Sequence, residues 1–136
     1  MKSRTTIAFA GAILGIALGA NAAALPQPNI ENGVTYLNGG VGQDQAAAMK
    51  AEAKNYPMSM IFAAGRDNEF LANVNVTIKD QHGKELLSRA AGPIMLVKVP
   101  PGTYTVTAER KGAKLHRSVQ VGGKGDKQVV FHWPKA

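Results

Sequence analysis

The sequence predicts a mainly β protein: an antiparallel sandwich of about seven strands with one short N-terminal helix. From residue 58 onward, apolar and polar residues alternate in short segments, which is the pattern of half-buried strands. Turn residues separate these segments roughly every 8 to 12 residues, as in sandwiches. The chain has no cysteine, so its core has to hold without disulfides.

The first 22 residues have the pattern of a secretory signal peptide. Lys2 and Arg4 precede an uncharged apolar run over 7–20, and Ala20-Asn21-Ala22 is a small-x-small cleavage pattern. The apolar run is shorter than the ~20 residues of a membrane span. We therefore expect cleavage near Ala22, a periplasmic or secreted protein, and no transmembrane span in the mature chain. A retained N-terminal anchor is the alternative.

Residues 23–42 are expected to form an extended leader that ends in a glycine-rich joint. The leader contains two prolines, and "VTYL" (34–37) is a short possible strand within it. A short helix is predicted over 43–56, because the segment is rich in alanine and has Asp44 near its start. Pro57 ends it, since the residue before a proline leaves the helical region.

The sandwich itself is predicted over 58–134. Its strands are expected over 58–64, 73–79, 84–90, 94–99, 103–109, 115–121 and 128–133. Turns are expected between them at 65–68, 80–83, 100–102, 111–112 and 122–127.

Two stretches of this region carry a resemblance to a known family. The first is the turn and strand "PPGTYTV" (100–106), followed by a Val-x-Val strand at 119–121. The second, over 71–89, is a strand, an Asp-x-x-Gly turn (Asp80 to Gly83) and a further strand. Together they resemble the carboxypeptidase regulatory-like family over roughly residues 58–133, and this resemblance implies an Ig-like or transthyretin-like β-sandwich. The resemblance implies a non-catalytic accessory or binding module, of a kind found attached to peptidases, transporters and surface proteins or alone behind a signal peptide.

Within the same stretch, Tyr104 is expected to bury its ring and to use its hydroxyl on a backbone group near the corner. Trp133 is expected to be a core or edge-closing aromatic of the last strand. An exposed stacking surface for sugars or lipid headgroups is the alternative for this tryptophan.

The charge balance suggests what the protein binds. The chain has 16 Lys and Arg against 9 Asp and Glu, and the signal peptide takes away two cations and no acid, which leaves +5. For an exported protein we expect an anionic surface component or an envelope protein as partner, and no nucleic acid. The candidate binding residues surround two adjacent turns: Arg110, Lys111, Lys114, Arg117 and Lys124. The alternative is that these cations only solvate strand faces and turns.

Enzymatic and cofactor-binding patterns are weak. His82 and Glu85 have the His-x-x-Glu spacing of zinc carboxypeptidases, with His116 or His132 as a nominal third ligand, but they fall in a turn that Asp80 and Gly83 already explain. The serines have no nucleophile-elbow motif around them, and the acids are scattered. We therefore expect no enzyme, no metal and no cofactor.

The glycine loop "LNGGVGQDQ" (37–45) resembles a phosphate cradle only superficially. It lacks the Lys-Ser/Thr of a phosphate-binding loop, and Gln45 stands where a dinucleotide motif has its third glycine. A nucleotide site is therefore not expected.

Three functional hypotheses follow. The leading one is an exported, monomeric, non-catalytic binding or structural module of the bacterial cell envelope. The second is an accessory subunit that docks on an envelope partner by strand addition, with the leader and residues 34–37 as its movable parts. The third is a zinc-dependent, peptidase-like hydrolase.

Overall fold

Ten strands and one helix make up the described part of the chain, which in the computed structural model is residues 25–122 and 127–135. The N-terminal elements are β1 (Asn29–Glu31), β2 (Val34–Gly39), α1 (Gln43–Glu52) and a 3-10 turn (Ala53–Asn55). The strands that follow are β3 (Met58–Ala64), β4 (Glu69–Phe70), β5 (Val74–Lys79), β6 (Glu85–Ala91), β7 (Ile94–Lys98), β8 (Gly102–Arg110), β9 (Ala113–Val121) and β10 (Lys127–Trp133). The predicted signal peptide lies outside the described residues.

The strands form two sheets. Sheet A has the order β1-β2-β7-β3-β10, with β4 pairing the end of β3, and sheet B has the order β6-β5-β8-β9. The predicted fold class, a mainly β protein with one short helix, is confirmed. The number of strands is ten rather than about seven, because β1 and β4 are too short to show an alternating pattern and β2 lies in the segment whose composition predicts a leader.

One pairing departs from the expected antiparallel arrangement. β10 runs parallel to β3, in register from Lys127 beside Met58 to Trp133 beside Ala64. The chain leaves β9 in sheet B and enters β10 in sheet A, so no hairpin fixes the direction of β10 relative to β3.

The segment assigned to an extended leader is corrected by the structure. Residues 29–39 form β1 and β2, and β2 lies between β1 and β7 as an interior strand of sheet A. The two strands are joined by a two-residue turn, Asn32 and Gly33, which both have positive φ (50° and 79°). Thr35 and Tyr36 are therefore paired on both sides, and Val34 and Leu37 on one side each, so the docking arm that the strand-addition hypothesis placed at 34–37 is part of the sheet.

The main core lies between the two sheets. Met58, Met60 and Phe62 of β3 point into it, and the Phe62 ring stacks on that of Phe131 at a centroid distance of 5.6 Å. Trp133 continues the stack, with its ring 6.5 Å from that of Phe131. These aromatic contacts fix β10 against β3.

The helix adds a third layer on the outer face of sheet A. Ala46 and Met49 of α1 pack against Leu37, Ile94 and Leu96, which point away from the main core. Most of the helix is alanine, and Met49 is its one large side chain that is fully buried. The helix thus covers a sheet face and makes both faces of β2 and β7 interior.

Candidate functional site

A small cleft lies where the β8–β9 turn meets the C-terminal end of β10. We call it the basic cleft; its volume is about 410 Å³, and it is lined by Arg110, Lys111, Ala113, Trp133, Pro134 and Lys135. The turn consists of Lys111 and Gly112, both with positive φ, which is the geometry of a tight two-residue hairpin. This conformation places the side chains of Arg110 and Lys111 at the tip of the hairpin.

Two hydrogen bonds hold the walls of the basic cleft together. Trp133 Nε1 donates to the Ala113 carbonyl oxygen at 3.1 Å, and Arg110 Nη1 donates to the Lys135 carbonyl oxygen at 2.9 Å. The Trp133 side chain is buried, so it closes the edge of the sandwich as predicted and forms an apolar wall. The cleft is therefore a built feature in which cations stand beside an apolar wall.

The predicted binding residues separate into groups. Arg110 and Lys111 both line the basic cleft, and Lys135, which the sequence analysis did not single out, joins them. Lys114 is paired in register with Glu109 of β8. Lys124 lies outside the described residues.

Arg117 stands apart from the basic cleft. Its guanidinium lies over the Phe131 ring, 5.6 Å from the centroid, and its Nη2 donates to the Val130 carbonyl oxygen at 3.3 Å. It thereby bridges the neighbouring edges of β9 and β10.

The His82 and Glu85 segment is a turn organised by Asp80. The Asp80 Oδ1 atom accepts hydrogen bonds from the backbone N–H groups of His82 and Lys84, both at 2.9 Å, and Gly83 N donates to the Asp80 carbonyl oxygen. These bonds account for the Asp-x-x-Gly pattern as turn geometry. Among the described residues, no three His, Cys, Asp or Glu side chains lie close enough together to hold a metal ion.

The turn gives the protein a defined response to acid. The Lys84 N–H, and with it the His82 N–H, holds the pKa of the Asp80 carboxyl below its ordinary value of 3.8. Because the folded pKa is lowered, the carboxylate stabilises the fold above about 3.8, and this contribution is lost as the pH falls through the lower folded pKa. We expect the free energy of unfolding, measured by denaturant titration at a series of acidic pH values, to fall less steeply with acid in Asp80→Asn than in the parent protein.

Asp80→Asn is the informative variant because asparagine keeps an acceptor oxygen for the two N–H groups but does not titrate. Asp80→Ala serves as the matched control, and it should be less stable than Asp80→Asn at neutral pH because it loses the acceptor. Equal acid dependence in Asp80→Asn and the parent protein would contradict this account.

The two remaining histidines do not meet. His116 lies on the outer face of sheet B, where its Nδ1 is 3.1 Å from the Thr107 hydroxyl. His132 belongs to β10 in sheet A, and its Nε2 is 2.8 Å from the Gly65 carbonyl oxygen. The two strands carry these histidines on opposite outer faces, so the structure does not bring them together at a metal site.

The glycine loop is held by the helix that follows it. The Gln45 Oε1 atom accepts the N–H groups of Gly40 at 2.8 Å and Val41 at 3.2 Å. These are two of the amides that a phosphate cradle would use, and they already have a partner inside the protein. The loop is thus explained as the connection from β2 to α1.

An apolar groove of about 590 Å³ runs beside this loop and α1. Val41 and Phe70 are exposed at its surface, and the Lys50 Nζ atom lies 5.2 Å from the centroid of the Phe70 ring. Sequence reasoning left Phe70 unassigned, since Phe70 and Val41 are far apart in the chain and meet only because β4 pairs with β3.

The chain matches no protein-family model and no curated protein sequence at a significant level. In the described part of the chain, no helix has the length and apolar character needed to cross a membrane.

Proposed function

We propose that this protein is an exported, non-catalytic binding module of the bacterial cell envelope that recognises an anionic surface component at the basic cleft. The observation that carries the proposal is the convergence of Arg110, Lys111 and Lys135, from two separate chain segments, on one cleft with an apolar wall. An anionic phospholipid, whose phosphate is negative and whose acyl chains are apolar, has the matching chemistry.

The electrostatics of the basic cleft favour such a ligand. Its lining contains three cations and, among the described residues, no acid. Among the described residues, the Lys135 carbonyl is the partner of one of the five guanidinium N–H donors of Arg110, which leaves the others to a phosphate. The excess of basic residues over the whole chain adds a long-range attraction toward anionic surfaces.

The resemblance to the carboxypeptidase regulatory-like family is consistent with a binding role. In the stretch that carries it, Tyr104 is buried and its hydroxyl donates to the Pro100 carbonyl oxygen at 2.6 Å. Burial, and after it the charge of Asp80, raises the pKa of this tyrosine above 10.0. The motif residues thus build the corner before β8, and the proposed binding surface lies at the β8–β9 turn.

The proposal is tested by sedimentation of the protein with lipid vesicles. We expect binding to vesicles that contain phosphatidylglycerol and none to vesicles of phosphatidylcholine alone, with affinity falling as salt is added. Each cation near an anionic membrane contributes about 1 kcal/mol. Lys111→Glu and Lys135→Glu should therefore each weaken binding by roughly fivefold or more.

Lys54→Glu is the matched control, since it makes the same change in net charge at an exposed position beyond α1. It should weaken binding clearly less than the two cleft variants. If all three variants lose the same affinity, net charge rather than the basic cleft is responsible and the proposal is overturned. Equal binding to both kinds of vesicle would overturn it as well.

A further inference from the structure

The two sheets meet at two seams, and one of them is closed by side chains. There the edge of β6 in sheet B faces β1 and β2 of sheet A. Side chains of sheet A make hydrogen bonds to the backbone of every second β6 residue. The carbonyl oxygens of Leu86 and Ala90 accept from the side-chain amides of Asn32 (3.0 Å) and Asn38 (2.9 Å), respectively. The Ser88 N–H donates to Glu31 Oε2 (3.2 Å). Glu31 is also paired with Arg89 at 2.8 Å. This edge has no room for another strand.

The opposite seam, between β9 and β10, is open. A groove of about 470 Å³ runs along it between residues 117–120 and residues 127–130, and we call it the edge groove. In the described residues, β9 pairs only with β8, and β10 pairs only with β3. The seam is fastened at one end, where Trp133 binds the Ala113 carbonyl, and it is bridged within the groove by Arg117.

The backbone of β10 directs the N–H and C=O groups of alternate residues toward this edge groove, away from β3. Lys127 N donates to Pro57 O, and Trp133 O accepts from Gly65 N, so the backbone groups of these two residues face the β3 side. Because the direction alternates along a strand, those of Gln128, Val130 and His132 face away from β3. The contact of Arg117 with the Val130 carbonyl agrees with this direction.

We propose that the edge groove accepts an extended acidic peptide of a partner protein, which adds to β10 as a further strand of sheet A. The peptide backbone would pair with Gln128 and Val130, as in other cases of strand addition. The Val130 side chain is 46% exposed at this edge, so an apolar residue of the peptide would cover it. The Arg117 guanidinium would exchange the Val130 carbonyl for a carboxylate of the peptide, which is a stronger, charge-assisted partner.

Charge decides which kind of strand fits. Among the described residues that line the edge groove, Arg117 and Lys127 are the charged ones. A second copy of this chain that paired through the same edge would bring these cations close to their own copies, which is unfavourable. A strand that alternates acidic or polar residues with apolar ones places carboxylates beside both cations.

The proposal is tested with a blocked, fluorescent nonapeptide of sequence EVTVEVTVE, by fluorescence anisotropy on the purified protein. We expect saturable binding of this peptide. A second version of the peptide carries N-methyl groups on two adjacent central residues. Adjacent residues of a strand direct their N–H groups to opposite edges, so each edge of the peptide loses one donor. This version should bind about tenfold more weakly or worse. The version KVTVKVTVK should not bind.

Protein variants locate the interaction. Val130→Pro removes an N–H that has no partner in the β3 ladder, and proline is tolerated at such edge positions. It should reduce the affinity about tenfold, whereas Val130→Thr, which keeps the N–H, should change it little. Amide exchange in the complex should slow at Gln128 and Val130.

Three results would overturn the proposal: no saturable binding of EVTVEVTVE, equal affinity for its N-methylated version, or equal affinity for the lysine peptide. If Val130→Pro fails to fold, the peptide comparison still decides. The proposal does not depend on the basic cleft, so Lys111→Glu should leave peptide binding largely unchanged while it weakens vesicle binding.

Discussion

Leu37→Asp is expected to destabilise the protein severely. Leu37 is 2% exposed in β2, between sheet A and the helix that covers it, where it packs in the same cluster as Met49 and Ile94. A carboxylate at this position would be buried without a partner, at a cost of several kcal/mol. Since domains are stable by only about 5 to 15 kcal/mol, we expect a loss of about 4 kcal/mol or more, measured by urea denaturation followed by circular dichroism.

Ile30→Asp is the matched control for this experiment. Ile30 belongs to β1 in the same N-terminal segment, but it is 73% exposed, so the same substitution should change the free energy of unfolding by about 0.5 kcal/mol or less. If Leu37→Asp were as harmless as Ile30→Asp, the segment would be the loosely attached leader that its composition suggests, and β2 would not be part of the sheet.

The strands that the sequence predicted well are those with one face in the core and one in solvent. β5 has Val74, Val76 and Ile78 buried and the polar residues Asn75 and Thr77 between them, so its alternation is complete. β8 has the same form, with Tyr104, Val106 and Ala108 buried. In such strands apolar and polar residues alternate in step with buried and exposed positions, so the alternation alone predicts a strand with one face in the core of a sandwich.

The N-terminal strands were missed for a physical reason. In β2, Tyr36 points into the main core and Leu37 points into the cluster under α1, so both are buried and no alternation appears. β1 has only three residues, too few to show a period. The local signal that could have found them is Asn32-Gly33, the favoured dipeptide of a two-residue hairpin turn, which was interpreted as part of a leader.

The candidate site could be predicted only in part. Arg110 and Lys111 stand out because they surround a recognisable turn, but Lys135 reaches the same cleft through the path of β10. That path depends on the parallel pairing of β10 with β3, which no local pattern encodes. Arg117 was grouped with the turn because it is near in sequence, yet it lies over Phe131 at the seam between the sheets.

Phe131→Ala tests whether β10 is held as the structure indicates. Phe131 is fully buried, stacks on Phe62 of the neighbouring β3, and lies under the Arg117 guanidinium. Its removal would leave a cavity between the sheets and take away the ring on which Arg117 lies. Such truncations cost about 3 to 5 kcal/mol, and we expect a loss of stability in that range by urea denaturation.

Val130→Ala, the neighbouring truncation, is the control that separates the two faces of β10. Val130 points out of the sandwich and is 46% exposed, so the loss should be below about 1 kcal/mol. A shift of β10 by one residue along β3 would exchange the two faces and reverse this order, because neighbouring residues of a strand point to opposite sides. A larger loss for Val130→Ala than for Phe131→Ala would therefore contradict the register of β10, and with it the assignment of Gln128 and Val130 to the open edge.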